Sequence, residues 1–180
     1  MSYFKIGIED FLFKYRPFQI KDAFDIKEVA LKSWLFTYGH IYDDEYIQKR
    51  INKAYEPELL QKLTEPINQG LTEMFVCEYN EKVIGFAQVG YYKYYLRETI
   101  KQMELSRIYI DPEYSRKGIG EQLLNLVEKW VIRKNFDKYC LFVHQNNPIG
   151  IKFYQKNGFK RNKAFDEEDE LYYEKTLLSK

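Results

Sequence analysis

Tyr114-Ser115-Arg116-Lys117-Gly118-Ile119-Gly120-Glu121 follows an apolar run (Leu105, Ile108, Ile110) that Asp111-Pro112 closes, and it opens a segment of helical periodicity. A Gly-x-Gly at a strand-to-helix junction brings backbone N–H groups close to an anion, and the positive end of the helix favours negative charge there. The stretch therefore predicts a phosphate-binding turn. Beyond it, Leu123, Leu124, Val127, Trp130 and Val131 form one apolar face of a helix over 118–134. Residues 138–144 read as the next strand, so the unit over 102–144 requires a right-handed parallel crossover.

Working outward, residues 11–18 read as a first strand. Asp22 is expected to cap a helix that carries Ile26, Val29, Ala30 and Trp34 to Gly39, and Asp43 to cap a second. A third helical stretch starts at Pro57 and stops near Gly70. A hairpin follows, Glu73–Tyr79 and Lys82–Tyr94 about Asn80-Glu81. After the crossover come a short helix over 147–156 with Gly158 as its stop, and two strands near 159–164 and 170–177. The expected class is α/β: a central mixed sheet of about seven strands flanked by helices, in one domain over 1–180.

Composition sets bounds. With a net charge of +1 and 31% charged residues, bulk electrostatics name no nucleic-acid or membrane partner. No apolar stretch reaches membrane-spanning length, and no secretory signal pattern is expected at the N-terminus. Cys77 and Cys140 sit in strand-like runs and read as small buried hydrophobes of a reducing cytoplasm, so a cytoplasmic location is expected. The two His and two Cys fit no zinc spacing, and no metal is expected. The turn itself fails two familiar phosphate motifs. The P-loop spacing is absent, and the third glycine of a dinucleotide fingerprint is replaced by Leu123.

A second motif narrows the ligand: Asn147-Pro148-Ile149-Gly150-Ile151-Lys152-Phe153-Tyr154-Gln155-Lys156-Asn157-Gly158-Phe159. Together with Leu105–Leu124 it resembles the GNAT acyltransferase superfamily, whose members move acetyl from acetyl-CoA to an amine. The family pattern is Gln/Arg-x-x-Gly-x-Gly/Ala followed by Asn-x-x-Ala-x-x-Phe-Tyr-x-x-x-Gly-Phe. This chain has Ser115 at the first position and Gly150 for the alanine. In the N-terminal third, Glu28, Ser33-Trp34, Thr37-Tyr38 and Tyr46 look like the PaiA-type branch, associated with spermidine and other polyamines.

The resemblance implies acetyl-CoA as co-substrate and an amine as acceptor, with a homodimer compatible with it. The backbone of Ile108, Tyr109 and Ile110 would pair with the pantetheine arm, and a backbone N–H near Ile110 would hold the oxyanion. Arg116, Lys117, Gly118, Ile119, Gly120 and Glu121 would enclose the diphosphate. Asn147 would contact the cofactor or cap the helix after it. Tyr154 would lie against the cofactor and protonate the departing sulfur; its bland alternative is packing.

Glu104 is the candidate base, acting through a water, and equally reads as a strand carboxylate in an ion pair. Ser106 is expected on the same strand face. His144 is a second base candidate, with a structural role as its alternative. Trp34, Tyr38 and Tyr42 are the acceptor-binding candidates, beside acidic Asp43, Asp44 and Glu45 and the run Asp166–Glu170. Tyr91–Arg97 reads as strand plus a Tyr-rich loop over the pocket. The leading function is acetyl transfer to a small polyamine such as spermidine by direct transfer in a ternary complex. Acetylation of a protein N-terminus or lysine is the alternative within enzymes, and a non-catalytic CoA-binding regulatory module the alternative outside them.

Overall fold

The computed structural model describes residues 13–91 and 102–177. The expectations for residues 11–12 and 92–97 lie outside them. Strands β1 (Lys14–Pro17), β2 (Thr72–Tyr79), β3 (Lys82–Tyr91), β4 (Met103–Ile110), β5 (Lys138–His144), β6 (Lys160–Arg161) and β7 (Glu170–Thr176) form one sheet. Its order is β1-β2-β3-β4-β5-β7-β6. Every pairing is antiparallel except β4–β5, the crossover that the sequence requires. The β2–β3 turn places Asn80 and Glu81 at φ of 47° and 64°, the left-handed pair that matches strand twist in a two-residue hairpin.

The helices are α1 (Ala23–Tyr38), α2 (Asp44–Tyr55), α3 (Pro57–Gln61), α4 (Thr64–Asn68), α5 (Ile119–Arg133) and α6 (Pro148–Lys156). Alternation along β3 feeds two cores. Ile84, Ala87 and Val89 pack with Leu123, Leu124, Val127 and Val131 of α5. Val83 and Phe86 pack on the other face with Ile26, Val29 and Ala30 of α1 and Ile47, Ile51 and Tyr55 of α2. Burying one such aliphatic side chain contributes about 1.5–3 kcal/mol, so each helix is held to its face by several of these contacts.

Two local expectations need correction. Asp22 precedes α1, yet its side chain makes no cap bond to that helix. The carboxylate turns back instead, accepting from the Gln19 N–H at 2.8 Å and from both Arg16 Nη atoms at 2.7 and 2.8 Å. Arg16 also binds Glu78 at 2.7 Å, which ties β1, β2 and the start of α1 together. A bidentate guanidinium–carboxylate contact outcompetes a single backbone N–H. The third helical stretch is two short helices, α3 and α4, ended by Gly70 at φ 67°.

Candidate active site

The site begins where β4 and β5 separate. Among the described residues they pair only at Met103–Tyr139 and Glu104–Cys140. Beyond these, β4 continues against β3 to Ile110 while β5 continues against β7 to His144. The cause lies in β4: its register with β3 shifts between Gln88 and Val89, leaving Ser106 as the extra residue of a bulge, which bends and twists the strand. Residues 105–110 thus present a backbone edge with no partner in β5. Such an edge suits the amides of an extended chain.

At the far end of that gap the chain turns into α5. Arg116 and Gly118 both have positive φ, 61° and 80°, and Gly118 begins the helix with no side-chain cap. The first-turn N–H groups are therefore aimed outward, at the positive end of a helix. Arg116, Lys117 and Gly118 are exposed, and Ile119 and Gly120 are buried. A Cβ on Gly118 would meet nothing within 4 Å, so its requirement is conformational; one on Gly120 would lie 2.9 Å from Phe153 and 3.1 Å from the Ile110 side chain. Gly120 thus lets α5 close onto α6 and β4. Glu121 does not face an anion as a donor side chain; it pairs with Lys156 at 2.7 Å.

Asn147 begins α6 and accepts from the Gly150 N–H at 2.8 Å, which is the capping role of its two expected ones. A Cβ at Gly150 would sit 2.7 Å from the Asn147 amide, so an alanine here would require that side chain to shift. The Asn147 amide also donates to the Tyr38 hydroxyl at 3.3 Å. Trp34 Nε1 donates to the Tyr109 hydroxyl at 3.1 Å, and its ring lies 4.9 Å from that of Tyr38. The Tyr154 ring packs on buried Phe159, and burial pushes its phenol well above the ordinary value, with Tyr109, Tyr38 and Glu170 adding to the shift. Trp34, Tyr38, Tyr109, Tyr154, Asn147 and Glu170 are therefore gathered at the open end of the gap.

Glu104 is placed elsewhere. It lies at the vertex, opposite Cys140, whose thiol burial and the Glu104 charge push up to about 12. Five residues of strand, about 16 Å, separate it from Tyr109. Ser106, as the bulged residue, donates to the Gln88 carbonyl at 3.3 Å instead of standing in register with Glu104. His144 has both nitrogens engaged: Nδ1 accepts from the Asn146 N–H at 3.2 Å, which leaves the proton on Nε2, 3.4 Å from the Tyr42 hydroxyl. Both contacts belong to the structural alternative named for this histidine.

Tyr42 stacks on Tyr46 with ring centroids 4.7 Å apart, and Asp43 caps α2 by accepting from the Tyr46 N–H at 2.7 Å. Asp166 is held by Arg161 at 2.6 Å. Of the acidic run only Glu170, opposite His144, turns a half-buried carboxylate toward the site; burial first of all raises its pKa. Sequence reading gave Tyr109 only a backbone role and assigned nothing to Tyr55 or Arg107. Their signal was alternation along β4, which puts Arg107 and Tyr109 on the α1–α2 face.

The chain matches the model of the acetyltransferase (GNAT) family over residues 31–159. It belongs to the GNAT acetyltransferase family. Members of that family are acetyl-CoA-dependent transferases, and the parted strands and uncapped helix fit that co-substrate. The chain is 36% identical to the spermidine N(1)-acetyltransferase of Thermoplasma acidophilum, over 81% of this chain and 86% of that protein. It is 29% identical to the N-acetyltransferase YuaI of Bacillus subtilis over 78% and 76%. The crystal structure of the PaiA N-acetyltransferase of Thermoplasma acidophilum in complex with coenzyme A superposes with a TM-score of 0.81 at 31% identity, covering 91% of this chain and 98% of that one.

Proposed function

We propose that this chain transfers acetyl from acetyl-CoA directly to the primary amine of a small molecule held in the same complex, and that a polyamine such as spermidine is an acceptor. The observation that carries the reading is the gap between β4 and β5, with Tyr154 at its open end and the uncapped start of α5 beyond it. The polyamine is supported by the Thermoplasma relative and by Glu170 among the rings of Tyr38 and Tyr42, a carboxylate–aromatic setting suited to ammonium groups.

Acetyl-CoA supplies an acyl carbon activated by a thiol leaving group. The unpaired edge of β4 hydrogen-bonds the pantetheine amides through Ile108, Tyr109 and Ile110, and one of its N–H groups holds the oxyanion. The turn 116–121 binds the diphosphate through backbone N–H groups, with Arg116 and Lys117 adding charge. An alkyl amine of pKa about 10.4 is almost wholly protonated at neutral pH, so a base must act. Glu104 is the candidate, and with about 16 Å of strand between it and Tyr109 it works through a chain of waters and not a single one. Tyr154 keeps its proton throughout the working pH range. Because a thiol, at about 8.5, is the stronger acid, Tyr154 stabilises the departing thiolate mainly by donating a hydrogen bond.

Thiol release from acetyl-CoA with spermidine tests this reading. Tyr154→Phe and Glu104→Gln should each lower kcat about 100-fold while CoA still binds. Wild-type rates in both would remove these two roles. CoA binding with no thiol from any amine would leave the non-catalytic module standing.

A further inference from the structure

A cavity of about 640 Å³ opens between α2, α3 and β4, with Arg50, Lys53, Tyr55, Ser106 and Arg107 in its wall. Trp34 and Tyr109 line it too; Trp34 donates to the Tyr109 hydroxyl and packs on Tyr38, which accepts from Asn147 at the start of α6, so the cavity adjoins the cluster at the open end of the gap. Among the described residues the lining holds three cations and no carboxylate.

Several cations elsewhere are held by carboxylates: Arg16 by Asp22, Lys27 by Glu56, Lys32 by Asp111, Lys156 by Glu121 and Lys175 by Glu128. Arg50, Lys53 and Arg107 enter no ion pair among the described residues. The two guanidinium groups are held by rings instead. Arg107 lies 4.6 Å over Tyr55, and Arg50 lies 5.6 Å over Trp34. Stacking of this kind fixes the plane of a guanidinium and leaves its N–H edge open for a planar oxyanion. Ser106, at the bulge, borders the same space. Glu170 feels the field of Arg50, but it is not part of the wall.

We propose that this cavity is a subsite for an anionic group carried by the acceptor, a carboxylate or a phosphate, so that the preferred substrate is a primary amine joined to an acid. The inference rests on the acetyl-transfer reading and narrows its acceptor. The amine of such a molecule reaches the Tyr154 end while its acid lies against Arg107 and Arg50. Spermidine offers this wall only further positive charge.

The test compares 1,5-diaminopentane, 6-aminohexanoate and 5-aminopentyl phosphate, which share a five-methylene chain, and the longer spermidine, each with acetyl-CoA. For the wild type, kcat/KM should be about 10–100-fold higher for an acid-bearing amine than for the diamine, the range expected of one or two charge-assisted hydrogen bonds. The carboxylate and phosphate arms identify which anion is taken. Arg107→Met should abolish the preference, and Arg50→Gln, on an exposed helix position, should weaken it without a loss of Tm. Arg107→Lys should keep part of it.

A wild type that prefers spermidine or the diamine overturns the subsite and leaves the acetyl-transfer reading intact; so does a preference that survives both Arg→Met at 107 and Arg→Gln at 50. If no acceptor releases thiol, the acetyl-transfer reading falls. The subsite is then judged by calorimetric titration of 6-aminohexanoate against 1,5-diaminopentane into the CoA-bound protein, where equal or weaker binding of the aminocarboxylate overturns it.

Discussion

The two sides of the β4–β5 gap are built from different materials. The side toward α5 is backbone: an unpaired strand edge, a turn with left-handed residues at Arg116 and Gly118, and a helix start without a side-chain cap. The side toward α1 and α2 is side chain: the Trp34–Tyr109 and Tyr38–Asn147 hydrogen bonds, the stacked Arg50 and Arg107, and the half-buried Glu170. A backbone site tolerates change at its side chains and demands a conformation. A side-chain site has no such demand, and its specificity shifts with single substitutions.

The largest effect expected from that contrast is at Gly118. Its φ of 80° costs a residue with a Cβ about 1–2 kcal/mol, and more when the side chain is β-branched. Gly118→Val should therefore weaken CoA binding about 10–30-fold by calorimetry. Because open space surrounds the position, the loss is conformational and not steric. Gly118→Asn should recover most of it, since Asn tolerates the left-handed region. Equal losses for Val and Asn would show that the turn needs the absence of a side chain and not its conformation.

This contrast also explains what could be read from the sequence. The glycine turn and the packing of α5 and α6 were legible because left-handed turns and close helix packing restrict residue type, so Gly118, Gly120 and Gly158 mark them in linear order. Asn147 was legible because its cap is local, three residues from Gly150. The side toward α1 and α2 is assembled from distant segments. Trp34 and Tyr109 are 75 residues apart, and Tyr38 and Asn147 are 109 apart. No spacing rule reaches across such distances. The aromatic positions 34, 38 and 42 could be listed, but not the hydroxyls they meet. Asp43 and Asp166 looked available for a polycation, yet both are taken by local structure, one as a helix cap and one by Arg161. Glu104 was legible by position along β4 while the bulge at Ser106, which parts the strands beyond it, was not.

A middle-sized effect should appear on the acceptor side alone. Trp34→Phe keeps a ring against Tyr38 but deletes the Nε1 donor to Tyr109. A hydrogen bond of this kind is worth about 1 kcal/mol, so kcat/KM for the acceptor should fall about fivefold. The CoA dissociation constant should be unchanged. If CoA affinity falls with it, the two sides are coupled through Tyr109, which belongs to both: its backbone lies on the free edge and its phenol accepts from Trp34.

The smallest effect is at Ser115, where the family pattern carries Gln or Arg. Its side chain is exposed, and its N–H is already used by the Pro112 carbonyl at 3.1 Å. If the diphosphate is held by backbone N–H groups, adding a cation there supplies only a solvent-screened contact of about 0.5 kcal/mol. Ser115→Arg should then tighten CoA about twofold at low salt, and the gain should vanish at about 1 M salt, where the screening length is about 3 Å. A tenfold, salt-resistant gain would mean that side chains bind the diphosphate directly. In that case the turn would resemble the acceptor side in its construction, and the contrast between the two halves of the gap would have to be abandoned.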